Sequence, residues 1–373
     1  MTSHSKGHPV TNHPELDPLV DRIRSATATG TPLRIQAGGT KPFYGNPVDA
    51  AAALDVRPFR GITSYEPSEL VITARCGTPL AELEAVLADK GQCLPFEPPH
   101  FAPGSTVGGM VAAGLSGPSR AAVGAVRDYM LGATLLNGKG EVLSFGGQVM
   151  KNVAGYDVSR LLAGSLGSLG AILEVSLKVL PTAPATATVR FEMDQATAIQ
   201  RLNEWGGRPL PINASAWWDG MLVLRLRGAA AAVDAAMQWL GGEPIAAPQA
   251  DDFWQGLRHH TDEFFAKAKA AVDAGGSLWR LSVASTAKPL QLSGEQLIEW
   301  GGAQRWLCTT MPAGTMREAA RQAGGHATQF YGRDRSAGSF APLGAPLDRI
   351  HRELKKAFDP AGIFNPGRLY PGL

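Results

Sequence analysis

The chain has 373 residues, more than one hydrophobic core usually organises, so two lobes are expected. Its 35 Lys and Arg against 33 Asp and Glu leave a formal charge of +2. No long single-sign run occurs, which disfavours nucleic acid and acidic membrane surfaces as partners. Cys76, Cys93 and Cys308 stand far apart with no Cys-x-x-Cys, so they cannot by themselves build an iron–sulfur cluster or a zinc knuckle, and no metal site is predicted. They read as reduced thiols of a cytoplasmic protein. The N-terminus lacks an apolar export core and no window is long enough to span a bilayer, so membrane contact is expected only through a partner.

Residues 1–14 are polar, and His4, His8 and His13 are too irregularly spaced for a metal site, so this stretch reads as a disordered tail. Asp17 is placed to cap a helix with Pro18 in its first turn; Leu19, Val20 and Ile23 share a face, and Gly30 and Pro32 end it. Leu33–Gln36 reads as a strand running into Ala37-Gly38-Gly39-Thr40-Lys41-Pro-Phe-Tyr-Gly45. Successive N–H groups in such a turn converge on an anion, helped by the Thr40 hydroxyl and the Lys41 ammonium. Taken alone, these residues fit an ordinary Gly-Gly turn equally well. Gly-x-Gly-x-x-Gly and Gly-x-x-x-x-Gly-Lys-Ser/Thr are both absent, which disfavours NAD and ATP. A strand over Leu70 to Arg75 and a helix opened by Thr78-Pro79 and closed by Gly91 come next.

From Pro95 to Pro181 glycine is densest. Pro103-Gly104-Ser105-Thr106-Val-Gly108-Gly109, then Gly114, Ser116 and Gly117, form a stretch too poor in side chains to shield its own N–H donors, which suits close approach to a phosphate or a polar ring edge. A hairpin over Ala133 to Asn137 and Glu141 to Phe145 turns at Gly138-Lys-Gly140. Lys151-Asn-Val-Ala-Gly-Tyr-Asp157 follows, with Asp157 placed to cap a short helix through Ser159, Leu161 and Leu162. Gly164-Ser-Leu-Gly167-Ser-Leu-Gly170-Ala-Ile172 then enters a strand in which Leu173, Val175, Leu177 and Val179 alternate with polar residues.

Three linked motifs carry a resemblance: Pro98-Pro-His-Phe101 before the Ser-Thr-Val-Gly turn, Lys-Asn-Val-Ala-Gly-Tyr-Asp, and Gly-x-Leu-Gly-x-Leu-Gly. In this order and spacing the stretch resembles the FAD-binding domain of the vanillyl-alcohol oxidase and p-cresol methylhydroxylase (PCMH) superfamily, and within it the FAD-binding subunits of bacterial glycolate oxidases. The resemblance implies an α+β fold: a two-subdomain PCMH-type FAD-binding domain over 15–181, an antiparallel α+β cap over 186–340, and a C-terminal return to the FAD domain over 341–373. It places FAD against Ala37, Gly38, Gly39, Thr40, Lys41, Pro103, Gly104, Ser105, Thr106, Gly108, Gly109, Gly114, Ser116, Gly170, Ile172 and Asn365, with Gly108 read as making room for the ring. No histidine stands in the 37–45 loop, where some relatives tether the flavin, so non-covalent FAD is expected. It implies as partners a second FAD-linked oxidase subunit and an iron–sulfur subunit, with a small 2-hydroxy acid such as glycolate or D-lactate as substrate. A self-sufficient oxidase of a hydroxy acid or polyol, and a non-catalytic scaffold, are the alternatives. Lys151 reads as a solvated hairpin lysine, with stabilisation of reduced flavin as its other role.

Pro181 to Ala185 marks the boundary. Beyond it, strands over Thr188 to Met193, Met221 to Arg227, Trp279 to Ala284 and Trp306 to Thr310 alternate with helices over Gln195 to Trp205, Ala229 to Leu240 and about Asp251 to Val272. The eight tryptophans all lie here, most at apolar phases of their elements, and read as core first and site wall second, with His259-His260 as surface. In the tail Leu347, Ile350, Leu354 and Phe358 recur at helical spacing, with Lys355 outside that stripe, until Asp359-Pro360. Asn365 in Asn365-Pro-Gly367 is either a flavin contact or a rigid turn. The Glu-His-Gly and His-x-x-Gly-Asp-Gly-Asn-x-His segments of relatives that oxidise 2-hydroxy acids are missing. His326, Tyr331, Arg333 and Arg335 are the remaining catalytic candidates; the two arginines form either a carboxylate clamp or part of a surface loop.

Overall fold

A computed structural model describes residues 14–50, 52–147 and 157–373. Lys151, Tyr156 and the histidines of the N-terminal stretch lie outside these residues. Among the described residues no helix is long and apolar enough to cross a membrane.

The N-terminal lobe is built on an antiparallel five-stranded sheet in the order Ile62–Glu66, Val71–Arg75, Ala171–Lys178, Met130–Leu136, Val142–Gly146. The central strand Ala171–Lys178 is buried on both faces, so its predicted apolar–polar alternation gives way: Ser176 is buried and bonds to the Thr73 hydroxyl at 2.9 Å. A parallel pair, Leu33–Gln36 with Ala52–Asp55, stands beside it. Ile23, Leu80, Leu83 and Leu87, from helices Asp17–Thr29 and Leu80–Ala88, fill one core with both groups of strands. Asp17 is the first residue of its helix and makes no side-chain cap. Asp157 likewise does not cap the turn Ser159–Leu162; its carboxylate accepts from the Ser159 hydroxyl at 2.7 Å and pairs with Arg160.

The second lobe carries an antiparallel eight-stranded sheet. Strands Ile212–Trp218, Gln296–Glu299 and His326–Gly332 belong to it although their periodicity gave no signal. The single helix expected near 251–272 is two, Ala247–His259 and Glu263–Asp273. His260 breaks it at φ 55°, and Asp262 starts the second helix by accepting the Phe265 N–H at 2.9 Å. His260 is 6% exposed, face to face with Phe265 at 3.6 Å, and His259 Nδ1 accepts the His100 N–H at 3.2 Å. The surface reading of this pair is therefore overturned: the helix break turns both rings inward.

The tail folds back on the first lobe. Asn365 N–H donates to Leu33 O at 2.9 Å, and Gly138 N–H to Phe358 O at 2.9 Å. The helix Leu347–Phe358 reverses its expected faces at two places. Leu347 and Ile350 are 52% and 46% exposed, whereas Lys355 is buried. Its ammonium has three acceptors, Ser168 O, Phe364 O and the Asp359 carboxylate, each at 2.8 Å, and that network is what makes burial of a lysine tolerable.

Candidate functional site

A cleft of about 560 Å³ lies in the first lobe, lined by the turn after Leu33–Gln36, the Ser105–Ala113 segment, Leu166–Ile172, Val56, Cys76 and the tail residues Asn365 and Arg368. This is the size of a small-molecule or cofactor pocket. Two glycine turns meet back to back to form it. A Cβ on Gly38 would stand 1.7 Å from Gly104 O, so only glycine permits that approach. Gly39, at φ +65°, has open space where a Cβ would stand, and a side chain there would enter the cleft.

Ala37, Gly38, Gly39, Thr40, Lys41, Ser105, Thr106, Gly108, Gly109, Gly170, Ile172 and Asn365 line the cleft. Pro103, Gly104, Gly114 and Ser116 are not among the lining residues. Gly104 backs Gly38, Gly114 lies against Gly164, and the Ser116 hydroxyl accepts the Val126 N–H at 3.3 Å. Gly108 is tight for a reason other than the one expected. A Cβ there would meet Cys76 Cβ at 2.6 Å, so the glycine seats the helix Val107–Ala113 against Cys76. Asn365 is also spent on protein. Its Oδ1 accepts the Ile35 N–H at 3.0 Å and its Nδ2 donates to Leu166 O at 2.6 Å, so one side chain pins the tail to two walls of the cleft.

The electrostatics are one-signed. Arg34, Lys41 and Arg368 line the cleft, and among the described lining residues there is no Asp or Glu. Lys41 Nζ donates to Ser105 Oγ at 2.8 Å and Thr40 Oγ1 at 3.2 Å, joining the two turns; burial lowers its pKa to about 8. Arg368 donates to the carbonyls of Asn46 (2.7 Å), Pro42 (3.0 Å) and Lys41 (3.3 Å), and burial brings it down to about 10. Cations held against carbonyls and hydroxyls leave the site's positive potential uncancelled, a donor set that fits an anionic diphosphate.

The catalytic candidates are not brought together. Arg333 is exposed and pairs with Asp273 at 2.9 Å. Arg335 is used to hold the 43–45 turn, donating to the carbonyls of Phe43, Gly45 (3.0 Å), Phe330 (3.2 Å) and Gly332 (3.2 Å) and to Ser339 Oγ (2.6 Å). His326 is exposed at the start of the strand that Tyr331 nearly ends. The Tyr331 ring lies 4.2 Å from Phe43, and burial raises its phenol above the ordinary range.

The family described as FAD binding domain matches residues 15–146. Glycolate oxidase subunit GlcE of Escherichia coli (strain K12) is 48% identical over 355 residues, covering 95% of this chain and 97% of that protein. The chain belongs to the GlcE family of glycolate oxidase subunits. A lesser similarity, 30% identity over 164 residues, links 44% of the chain to 32% of glycolate oxidase subunit GlcD of Bacillus subtilis (strain 168). In fold the chain is similar to alkyldihydroxyacetonephosphate synthase, at TM-score 0.64 and 16% identity over 93% of this chain and 74% of that one.

Against this GlcE-family background, Arg34, Pro47, Val48, Val56, Cys76, Leu166, Gly167 and Arg368 are cleft residues that reading the sequence missed. Gly167 had a signal in its glycine repeat, since a Cβ there would meet Asn365 Nδ2 at 2.6 Å. Val56 and Cys76 had none, because each reaches the cleft only through the packing of the strand that precedes it.

Proposed function

We propose that this chain is the FAD-binding subunit of a glycolate oxidase-like 2-hydroxy acid dehydrogenase complex, holding FAD non-covalently in the first-lobe cleft. The single observation that carries the reading is the cleft itself, glycine-walled and cationic with no carboxylate among its described lining residues. Gly38, Gly39, Thr40, Lys41 and Ser105 would face the diphosphate, and Ala112, Ala113, Gly170 and Ile172 offer the small and apolar wall a ring system needs. Bound there, FAD supplies two-electron redox chemistry. The chain's own part is to bind, orient and neutralise. Its partners are a second FAD-linked subunit and an iron–sulfur subunit that carries electrons onward; the chain itself is cytoplasmic and reaches a membrane only through them. Residues 15–181 and 341–373 form the FAD-binding unit and 186–340 the cap.

Purified chain is expected to be yellow or to take up added FAD, and to release all of it on denaturation. Co-expressed with its partners it is expected to lose its yellow colour anaerobically on addition of glycolate or D-lactate. A colourless chain that takes up no FAD would remove the reading.

A further inference from the structure

Resting on that reading, the next question is whether a hydroxy acid can reach the cofactor from the cap side. Where the cap sheet meets the first lobe the contact is a continuous core. Tyr44, Ala113 and Leu115 of the first lobe pack with Leu257, Phe265, Leu278, Trp306 and Phe330 of the second, and Ala113 is also a wall of the cleft. Phe43 joins Phe101 at 5.1 Å and Tyr331 at 4.2 Å, and Trp306 meets Phe330 edge-on at 4.9 Å.

Beneath these rings lies a cavity of about 20 Å³ whose lining includes His260, Arg280, Glu299 and Gln304 as well as Ser116 and Gly117. His260 Nδ1, Arg280 Nε and Gln304 Oε1 are buried there without hydrogen-bond partners. His260 and Gln304 are 6% and 3% exposed. Glu299 accepts from Trp306 Nε1 at 2.6 Å and Gln304 Nε2 at 3.0 Å. Unpaired buried polar atoms around so small a space call for a water, which needs roughly 10–15 Å³ and two to four polar partners. Even the smallest 2-hydroxy acid needs room for several waters. The lobes are also fastened around this spot. Glu97 accepts from Arg225 at 2.7 and 2.8 Å and from Arg227 at 3.3 Å, and Arg258 bonds to Glu84, which His100 meets at 2.9 Å.

We infer that the cap of this chain is closed to the hydroxy acid: Phe43, Phe101, Trp306, Phe330 and Tyr331 occupy the interface, and the polar pocket of His260, Arg280 and Gln304 beneath them holds one water in place of an acid. The acid is oxidised on another subunit, where it loses two electrons and two protons to become the 2-oxo acid. The oxidant there would be the flavin of the second FAD-linked subunit.

The test uses the full chain with and without FAD. Oxalate, a small acid that cannot be oxidised at carbon by hydride loss, is titrated by calorimetry and by tryptophan fluorescence, since Trp306 lines the pocket. No saturable signal that Arg280→Met removes is expected up to ~10 mM, well above the Kd of a specific site. Glycolate or D-lactate added anaerobically to the FAD-loaded chain alone is expected to leave the flavin spectrum unchanged, while dithionite bleaches it and the reconstituted complex bleaches with acid. Saturable oxalate binding by wild type that is lost in Arg280→Met, or bleaching by acid without a partner, would overturn the inference. A chain that takes up no FAD would count against the proposed function instead, and the oxalate titration would still decide whether the pocket is closed.

Discussion

The cleft and the cap interface are both supplied with buried or half-buried cations, and the two regions use them in opposite ways. In the cleft, Lys41 and Arg368 bond only to hydroxyls and carbonyls, so their charge is left for an incoming anion. At the interface, Arg225 and Arg258 are matched by Glu97 and Glu84, so their charge fastens one lobe to the other. Burial by itself would raise Glu97, but Arg225 and Arg227 overcome it and hold the carboxyl below its usual range. The glycines follow the same division. Gly39 leaves room in the cleft, whereas Gly108 removes room between two packed segments. Charge and space in this protein have to be assigned by their partners, because residue type alone does not distinguish a receptor from a fastener.

Breaking the fastener has the largest expected effect. Glu97→Ala leaves Arg225 buried and unpaired and is expected to cost about 3–5 kcal/mol in chemical denaturation; a loss under about 1 kcal/mol would show that the pair is not a clamp. Next, Asn365→Ala removes hydrogen bonds to Ile35 and Leu166 and places alanine at φ 41°. About 1–3 kcal/mol of stability should go with it, together with flavin content, because two half-buried backbone groups lose their partners. Unchanged stability would mean the tail is held elsewhere.

The glycine pair sharpens the comparison. Gly108→Ala should destabilise by about 1–3 kcal/mol through overpacking on Cys76, whereas Gly39→Asn, a side chain that tolerates the left-handed backbone at φ +65°, should cut the ratio of flavin to protein absorbance while leaving the circular dichroism of the fold intact. If the two variants behave alike, the assignment of space fails. Lys41→Met is expected to weaken FAD binding about tenfold, roughly 1.4 kcal/mol. The same lysine sets a pH dependence. Its pKa in the free protein is lowered to about 8 by burial, and a bound diphosphate favours the ammonium form and so raises it. Affinity is therefore full below pH 8 and falls as pH rises above 8; without FAD the sign reverses, and stability grows above pH 8 because the unfolded lysine still holds its proton. A flat affinity from pH 7 to 10 would place Lys41 away from the diphosphate. Arg333→Ala should change neither stability nor flavin content measurably, since the side chains of its pair with Asp273 are 70% and 74% exposed.

Much of this was legible in the linear sequence wherever the controlling interactions are local. Pro18, Gly30 and the Leu19–Ile23 face give the first helix; Gly138-Lys-Gly140 gives the hairpin, where Asn137 Oδ1 accepts the N–H of Lys139 and Glu141, both at 2.9 Å. The turn at 37–41 and most of the cleft's lining were readable because glycine and hydroxyl residues cluster there. Lys355 was misassigned because its three acceptors come from separate turns and no periodicity announces them. The same holds for His260, whose left-handed backbone ends a helix that composition alone would have continued, and for strand Gln296–Glu299, which owes its place to the neighbours Ile212–Trp218 and Gln304–Thr309.

Amino-acid order by itself determined that this chain builds a side-chain-poor cleft in its first lobe, because close backbone approach is encoded residue by residue in glycine. Only the tertiary structure decided which cations stay unpaired, which glycines face space, and that the cap meets the cleft as packed rings. Those properties depend on which distant segment supplies the carboxylate, the carbonyl or the neighbouring ring, and sequence proximity does not carry that information.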